Sequence, residues 1–321
     1  MQLRSFLAAC SVGAVFAASG LAGAQEYPTR PIRIVTGEVG GVPDIVARLI
    51  GPALTARLGK PIVVDNRGGG NGAIAAQAVA RAAPDGHTLL FYASALWLAP
   101  LMNGVQEDPL KDFAPVSLVA SAPNIVVVHP SLPVKSVREL IALAKARPRA
   151  LNYASGGLGS SPHLAGELFN AMAGVEIVRI GYKGGGPAIN DLIAGNVQLM
   201  FAAAGSVAEH VKAGRLRALA LTSAQPSELA PGVPTVAASG LPGFITLGLY
   251  PVFAPGETPA ALVNRIREEI HQAVQRADVR ERLLRSGIEP AGGTPEELAT
   301  LLKTEITRWG QFFRARSIPA G

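Results

Sequence analysis

The sequence predicts an α/β protein of two lobes joined by a hinge, on three observations. Short apolar runs rich in Val and Ile alternate with stretches of helical periodicity from Pro31 onward, the signature of a parallel sheet covered by helices on both faces. The alternation restarts at Asn124, after one complete unit has already been spelled out. About 300 residues follow the N-terminal leader, more than a single hydrophobic core usually serves.

The leader is residues 1–24. Arg4 precedes the apolar run Phe6 to Phe16, and small residues lead to Ala22-Gly23-Ala24, a secretory signal peptide with cleavage expected after Ala24. A membrane anchor needs about 20 consecutive apolar residues, and this stretch is broken by Ser11, Gly13, Ser19 and Gly20. Leu7-Ala8-Ala9-Cys10 resembles a lipoprotein cleavage box but leaves almost no hydrophobic segment ahead of it. Cys10 is the only cysteine, so the mature chain has no disulfide, thiol nucleophile or thiolate metal ligand. Loss of Arg4 takes the formal charge from +6 to +5. The remaining excess of basic residues is scattered, and the few aromatics do not interleave with it as a base-stacking surface requires. The composition therefore argues against nucleic-acid binding and for solvated helix faces.

In chain order, Pro31 to Thr36 reads as a strand, after which Ile45, Val46, Leu49, Ile50, Leu54 and Leu58 fall on one helical face. Pro61 to Asp65, Gly72 to Ala83 and Thr88 to Tyr92 continue as strand, helix and strand. The second unit begins with the strand Ile125 to Val128, followed by a helix that Ser136-Val137-Arg138-Glu139 opens as a capping box. Strands at Leu151 to Ala154, Val175 to Gly181, Val197 to Ala202 and Leu216 to Thr222 alternate with helices at Pro162 to Ala173, Pro187 to Ala194 and Ser206 to Ala213. Pro226 to Gly243 holds no clear element. Phe244 to Ala254 is a strand, followed by helices at Pro259 to Arg276 and Val279 to Ser286 and a last one opened by Thr294-Pro295-Glu296-Glu297. The closing helices lack strands for a third sheet, so they are expected to return to the first lobe. This gives lobe one as 25–124 with 248–321 and lobe two as 125–247, with crossings near Asn124 and Leu247.

Three strand-to-helix junctions are rich in glycine and small polar residues: Thr36 to Asp44, Asn66 to Gly72, and Ser155 to His163. Each puts unpaired backbone N–H groups at a helix N-terminus, where an anionic or carbonyl oxygen can approach closely. In an open α/β sheet such junctions lie at the carboxyl ends of strands, where ligands bind. A turn also uses glycine for its own sake, but three such junctions on two lobes point to a shared cleft.

Tyr27-Pro28-Thr29-Arg30-Pro31-Ile32, Val63-Val64-Asp65-Asn66-Arg67, Ala83-Pro84-Asp85-Gly86-His87-Thr88, Pro162-His163-Leu164-Ala165-Gly166-Glu167, Tyr182-Lys183-Gly184 and Gly232-Val233-Pro234-Thr235 occur in an order and spacing that resemble the Bug family. These are TctC-like extracytoplasmic solute receptors of tripartite tricarboxylate transporters. The resemblance spans the mature chain. It implies a type II periplasmic-binding-protein fold, a small ligand held between the lobes and delivery to membrane transporter subunits; no cofactor and a monomer are expected. Carried over by position, the ligand-binding residues are Gly37, Glu38, Val39, Gly40, Gly41 and Asp44 of the first loop, Gly69, Gly70 and Asn71 of the second, and Ala93 and Ser94 at the third strand end. The other lobe supplies Ser155, Gly159, Ser160, Ser161, His163, Tyr182, Lys183, Gly184 and Ala203. Ser94, Ser155, Ser160 and Ser161 are the candidate hydroxyl donors.

The first loop departs from the family pattern. Members carry Pro, an aromatic and a small residue where this chain has Thr36, Gly37 and Glu38, so a wall is lost and a negative charge stands at the mouth. Like charges close together in a partly dry cleft repel, which leaves carboxylate, neutral amide, aromatic acid and cationic solute all open. Other chemistry finds little support. Gly68-x-Gly70-x-x-Ala73 is a degenerate dinucleotide fingerprint without its acidic residue at a later strand end. No Gly-x-Ser-x-Gly elbow occurs, and the five histidines lack metal-ligand spacing. Ser160, His163 and Asp191 invite a triad reading, but Ser160 and His163 straddle a helix start. An exported hydrolase and a ligand sensor for a membrane kinase remain the alternative readings.

Overall fold

The computed structural model describes residues 27–37, 39–102 and 110–316. The leader, Cys10 and Glu38 lie outside the described residues. The elements run β1 (Ile32–Thr36), α1 (Val42–Leu58), β2 (Ile62–Asn66), α2 (Ala73–Ala80), β3 (Thr88–Phe91), α3 (Ala95–Met102), β4 (Phe113–Val128), α4 (Val137–Ala146), β5 (Asn152–Ser155), α5 (Ser161–Ala173), β6 (Val178–Gly181), α6 (Gly185–Ile193), β7 (Leu199–Ala203), α7 (Ala204–Lys212), β8 (Arg217–Leu221), β9 (Leu247–Pro255), α8 (Ala260–Val274), α9 (Ala277–Arg285), β10 (Glu289–Pro290) and α10 (Pro295–Arg316).

The strands form one curled sheet in the order β2-β1-β3-β9-β4-β7-β5-β6, with β8 and β10 pairing on β4. β1, β2 and β3 are parallel with β1 central, and β9 joins β3 antiparallel. β5, β6 and β7 repeat the arrangement with β5 central, and the C-terminal part of β4 joins β7 antiparallel. β4 thus belongs to both halves of the sheet. From Phe113 to Pro123 it pairs with β9, and from Asn124 to Val128 with β7, while Ile125 to Val128 also pair with β8. The change of partner falls at Pro123–Asn124, where the sequence pattern restarts. Proline has no N–H to offer a ladder, so it suits a point where pairing changes.

A buried knot of hydrogen bonds closes this crossing. Asn124 N–H donates to Thr222 Oγ1 (2.9 Å), and Thr222 Oγ1 donates to the Thr246 carbonyl (2.7 Å) just before β9. The Asn124 side-chain amide donates to Ser161 Oγ at the start of α5. Four chain segments therefore meet here: β4, the end of β8, the approach to β9 and the start of α5.

The helices sit where their apolar faces predict. Val46, Ile50 and Leu54 of α1 share a core with Val263, Ile266 and Ile270 of α8 and Val279 and Leu283 of α9. Leu298, Leu302, Trp309 and Phe313 of α10 join the core that contains Trp97 of α3 and Phe253 of β9. Thr294 and Glu297 make the full reciprocal box: Glu297 N–H donates to Thr294 Oγ1 (3.2 Å) and Thr294 N–H to Glu297 Oε2 (2.8 Å). At α4 the box is displaced by one residue, since Glu139 Oε2 accepts from Lys135 N–H (2.7 Å) while Glu139 N–H donates to Ser136 Oγ (3.2 Å).

Three elements differ from the sequence reading. β4 starts at Phe113, well before the predicted Ile125, because Pro115, Ser117, Ser121 and Pro123 interrupt an apolar pattern that β9 nonetheless pairs through two register shifts. α3 was not predicted, since Ala95–Met102 is apolar all round and carries Pro100, so it shows no helical period. β10 is too short to leave a pattern.

Candidate functional site

All three glycine junctions lie at the carboxyl ends of parallel strands, in line with the general rule for such sheets. The first follows β1 and opens α1 at Gly41, which takes no side-chain cap, so part of the helix N-terminus is left to other partners. Asp44, predicted to touch ligand, is engaged by the protein on several sides. It is buried and accepts from Gly40 N–H (2.9 Å), Arg48 Nε (2.9 Å) and Asn66 Nδ2 (2.9 Å). Burial alone would raise its pKa, but these donors together hold its carboxyl below the usual carboxylate range. Asn66 Nδ2 also donates to Thr36 Oγ1 (2.8 Å), so β1, β2 and α1 are tied together beneath the loop.

The second junction turns sharply after β2. Gly69, Gly70, Asn71 and Gly72 all have positive φ, and at Asn71 (φ 52°) that conformation carries a side chain. Gly72 and Gly37 share a further purpose. A Cβ on Gly72 would stand 2.6 Å from Tyr92 Cε1, and one on Gly37 would stand 3.0 Å from Tyr92 Cε2 and Oη. The Tyr92 ring, at the end of β3, therefore occupies the space between the first two loops. Sequence reasoning assigned Tyr92 to a strand and missed this role; the signal was an aromatic directly before Ala93-Ser94 beside two glycine loops.

The third junction crosses to meet the first half. Ser94 Oγ donates to the Gly159 carbonyl (2.9 Å), and a Cβ on Gly159 would lie 2.9 Å from Ala99 N and 3.3 Å from Ala95 Cα. Gly159 thus seats on the backbone of α3. Asn71 Oδ1 lies 2.6 Å from where a Cβ on Gly157 would stand, so the second and third loops also touch. Glycine-rich turns from the two halves do meet, through α3 and Asn71. These contacts bring Gly37 and Gly72 to Tyr92, Asn71 to Gly157 and Ser94 to Gly159, with Ser160 N–H donating to the Gly157 carbonyl (3.2 Å), while Val39, Gly40 and Gly41 lie on the loop that opens α1.

The four candidate hydroxyls separate clearly. Ser94 bridges to Gly159, Ser161 is held by Asn124, and Ser155 Oγ accepts from Arg179 Nε (2.8 Å) and donates to the Gly156 carbonyl (3.2 Å). These three are engaged by protein. Ser160 Oγ alone of the four is buried without a hydrogen-bond partner among the described residues, at the N-cap of α5 where it makes no capping bond. A buried hydroxyl left unpaired costs free energy that a bound acceptor or donor recovers.

His163 holds the loop from below. It is buried, its Nδ1 accepts from Gly159 N–H (3.2 Å), and its Nε2 faces Glu167 (3.9 Å), which accepts from the Tyr153 hydroxyl (2.6 Å). Burial, followed by the nearby positive charge of Arg179, lowers its pKa to about 3. His163 is therefore a neutral acceptor that fixes Gly159. The triad reading fails on the same geometry. Asp191 accepts from the Tyr182 hydroxyl (2.8 Å) and from Asn196 Nδ2 (3.2 Å), so it does not orient His163.

Four predicted positions lie elsewhere on the carboxyl ends of the second half. Tyr182 follows β6 and directs its hydroxyl to Asp191, while Lys183 is exposed and Gly184 opens α6. Ala203 ends β7, with its carbonyl taken by Ser206 Oγ (2.7 Å). Among the described residues no cluster of His, Cys, Asp and Glu is suited to hold a metal ion, and no helix is long and apolar enough to cross a membrane.

Comparison with known proteins agrees with this architecture. The chain is 40% identical over 288 residues to a UPF0065 protein from the tcbD-tcbE intergenic region of Pseudomonas sp. strain P51, covering 89% of this chain and 86% of that one. It is 38% identical to protein BugT of Bordetella pertussis, covering 94% and 95%. Among solved structures it is similar to R. palustris Rpa4515 with adipate (TM-score 0.81, 35% identity, 90% and 97% covered). It is also similar to MatC from Rhodopseudomonas palustris with bound malate (TM-score 0.80, 31% identity, 89% and 99% covered). Residues 46–318 match the model of the tripartite tricarboxylate transporter family receptor, TctC, and the chain belongs to that family.

Proposed function

We propose that this chain is an exported receptor that captures a small organic carboxylate between two lobes and hands it, unaltered, to membrane subunits of a tripartite tricarboxylate-type transporter. Lobe one is residues 25–124 with 248–321, and lobe two is residues 125–247. The observation that carries the reading is the convergence of glycine-rich strand ends from both halves beside a buried hydroxyl, Ser160 Oγ, that has no partner among the described residues. Relatives solved with adipate and malate indicate the ligand class.

The physical sequence is simple. Main-chain N–H groups at the N-termini of α1 and α5 and the Ser160 hydroxyl bind carboxylate oxygens, favoured by the positive ends of the two helices. Because the ligand touches both halves, it stabilises the arrangement in which they meet, and only by its differential affinity for that form. The crossing at Asn124, Thr222 and Thr246 is the hinge, and the protein acts as a monomer. Residues 1–24 direct it across the membrane and are removed, giving a periplasmic protein. The engagement of His163 by Gly159 and of Asp191 by Tyr182 keeps Ser160, His163 and Asp191 from acting as a triad, which supports release without chemistry.

Thermal-shift and calorimetric titration with malate, adipate and benzoate test the proposal. Stabilisation by at least one acid, recovered intact by mass spectrometry after long incubation, is the expected result. Conversion of a bound acid into a product, or no stabilisation by any of them, would overturn it.

A further inference from the structure

Arg179 on β6 is a donor to Ser155 and a positive charge near His163. It is in register with Tyr153 on β5, so its side chain shares the face of the sheet that carries Ser155 two residues later. The side chain runs toward the carboxyl end of the strand, and Gly181 makes the path possible: a Cβ there would stand 3.2 Å from a guanidinium nitrogen. At the top, Nε donates to Ser155 Oγ (2.8 Å) and Nη2 donates to the Gly156 carbonyl (2.8 Å).

Both acceptors are uncharged. Among the described residues no carboxylate lies within ion-pair distance of Arg179, although the guanidinium is half-buried. A charge removed from water is ordinarily paired, and a guanidinium has five N–H donors, more than these two contacts use. Its position gives the unpaired charge a direction. Gly156 adjoins Gly157, which lies against Asn71 of the opposite half, so the cation sits beside the point where the two halves touch. His163 on the same loop is a neutral acceptor and Lys183 is exposed, so Arg179 is the cation held within the loop cluster of the second half.

We infer that Arg179 is a specificity-determining residue of this receptor: its unpaired guanidinium at the third glycine loop selects solutes that carry a carboxylate and rejects the corresponding neutral amides. The inference rests on the receptor reading above and extends it: helix N-termini and a serine hydroxyl can also donate to an amide oxygen, whereas a guanidinium held out of water gains most from a full negative charge.

The test uses matched acid and amide pairs on the mature chain: malate and malamide, adipate and adipamide, benzoate and benzamide. Affinities are measured by calorimetry for the wild type, Arg179→Gln and Arg179→Lys, with melting of each unliganded variant recorded. Removing a charged hydrogen-bond donor is expected to weaken the acid on the order of 10- to 100-fold in Arg179→Gln. The amide, which offers the guanidinium no charge to pair with, should weaken severalfold less than the acid does. Arg179→Lys keeps the charge and should retain part of the preference. If acid and amide weaken together, Arg179 only positions the loop and the proposal fails. Unchanged acid affinity in Arg179→Gln, or a wild type that binds amides as well as acids, also overturns it while the receptor reading stands. If none of the six compounds binds the wild type, the carboxylate-receptor reading itself falls and this inference with it.

Discussion

The substitution Gly159→Ala separates the contact between the halves from the stability of either one. Two costs attach to it. Gly159 has φ +71°, a left-handed conformation that costs an alanine about 1 kcal/mol. Its new Cβ would also lie 2.9 Å from Ala99 N and 3.3 Å from Ala95 Cα, which are backbone atoms of α3 and cannot swing aside. Overpacking of that kind costs about 1–3 kcal/mol. The first cost is paid whether or not the halves touch, whereas the second exists only while they do. If ligand binding requires that contact, Kd rises roughly 5- to 150-fold, at 1.4 kcal/mol per decade. Melting of the unliganded protein falls only by about 2 °C. Gly174→Ala is the matched control: φ is +61° and nothing lies within 4 Å of the Cβ it would gain. It carries the conformational cost without the clash and should melt lower with unchanged Kd. Calorimetry and thermal melting on the two variants decide the matter. If Gly159→Ala binds as the wild type does, within about twofold, the seat of Gly159 on α3 is not part of the liganded form and the reasoning is refuted.

Ser160→Ala should leave unliganded stability unchanged or slightly higher, because the hydroxyl removed has no partner among the described residues, and should weaken the bound acid by about 2- to 12-fold; a loss of stability with unchanged affinity would contradict the assignment. Tyr92→Ala, which empties the space between Gly37 and Gly72, should lower affinity about tenfold, the equivalent of 1.4 kcal/mol, and calorimetry showing no change would remove the ring from the cleft wall. His163 sets a pH dependence of known sign. Its pKa is 6.5 in the unfolded chain and about 3 in the folded protein. On acidification the unfolded chain takes the proton first, so stability from this group is complete above about pH 7 and declines below, by up to about 1.4 kcal/mol per pH unit down to about pH 3. Urea midpoints at pH 7.5, 5.5 and 4.5 should diverge from those of His163→Asn in that window, and parallel curves would show that the ring is not held neutral.

The order of elements was legible because most of them are half-buried and carry their burial in their period. α1, α8 and α9 show a clean apolar face, and Thr294-Pro295-Glu296-Glu297 announces the start of α10 through the chemistry of its first turn. α3 was invisible for the opposite reason, being buried all round, and with it went the seat of Gly159. The glycine loops were legible as a set, since few other settings ask for three of them at strand ends. What the sequence does not carry is which polar groups are already satisfied by neighbours distant in the chain. Ser94, Ser155, Ser160 and Ser161 look alike as letters. Gly159, Arg179 and Asn124 engage three of them and leave the fourth. Asp44 and His163 were placed in the site by position, and the sequence did not show that their tertiary hydrogen bonds hold Gly40 and Gly159. Tyr92 and Arg179 escaped notice because each reads locally as an ordinary strand residue.

A crystal structure of the mature protein with the carboxylate that stabilises it most is the direct test of a ligand gripped from both halves. The account predicts carboxylate oxygens within hydrogen-bonding distance of Ser160 Oγ and of a main-chain N–H in the loop that opens α1. A solute bound to one half alone, with Ser160 Oγ still unpaired, would contradict it.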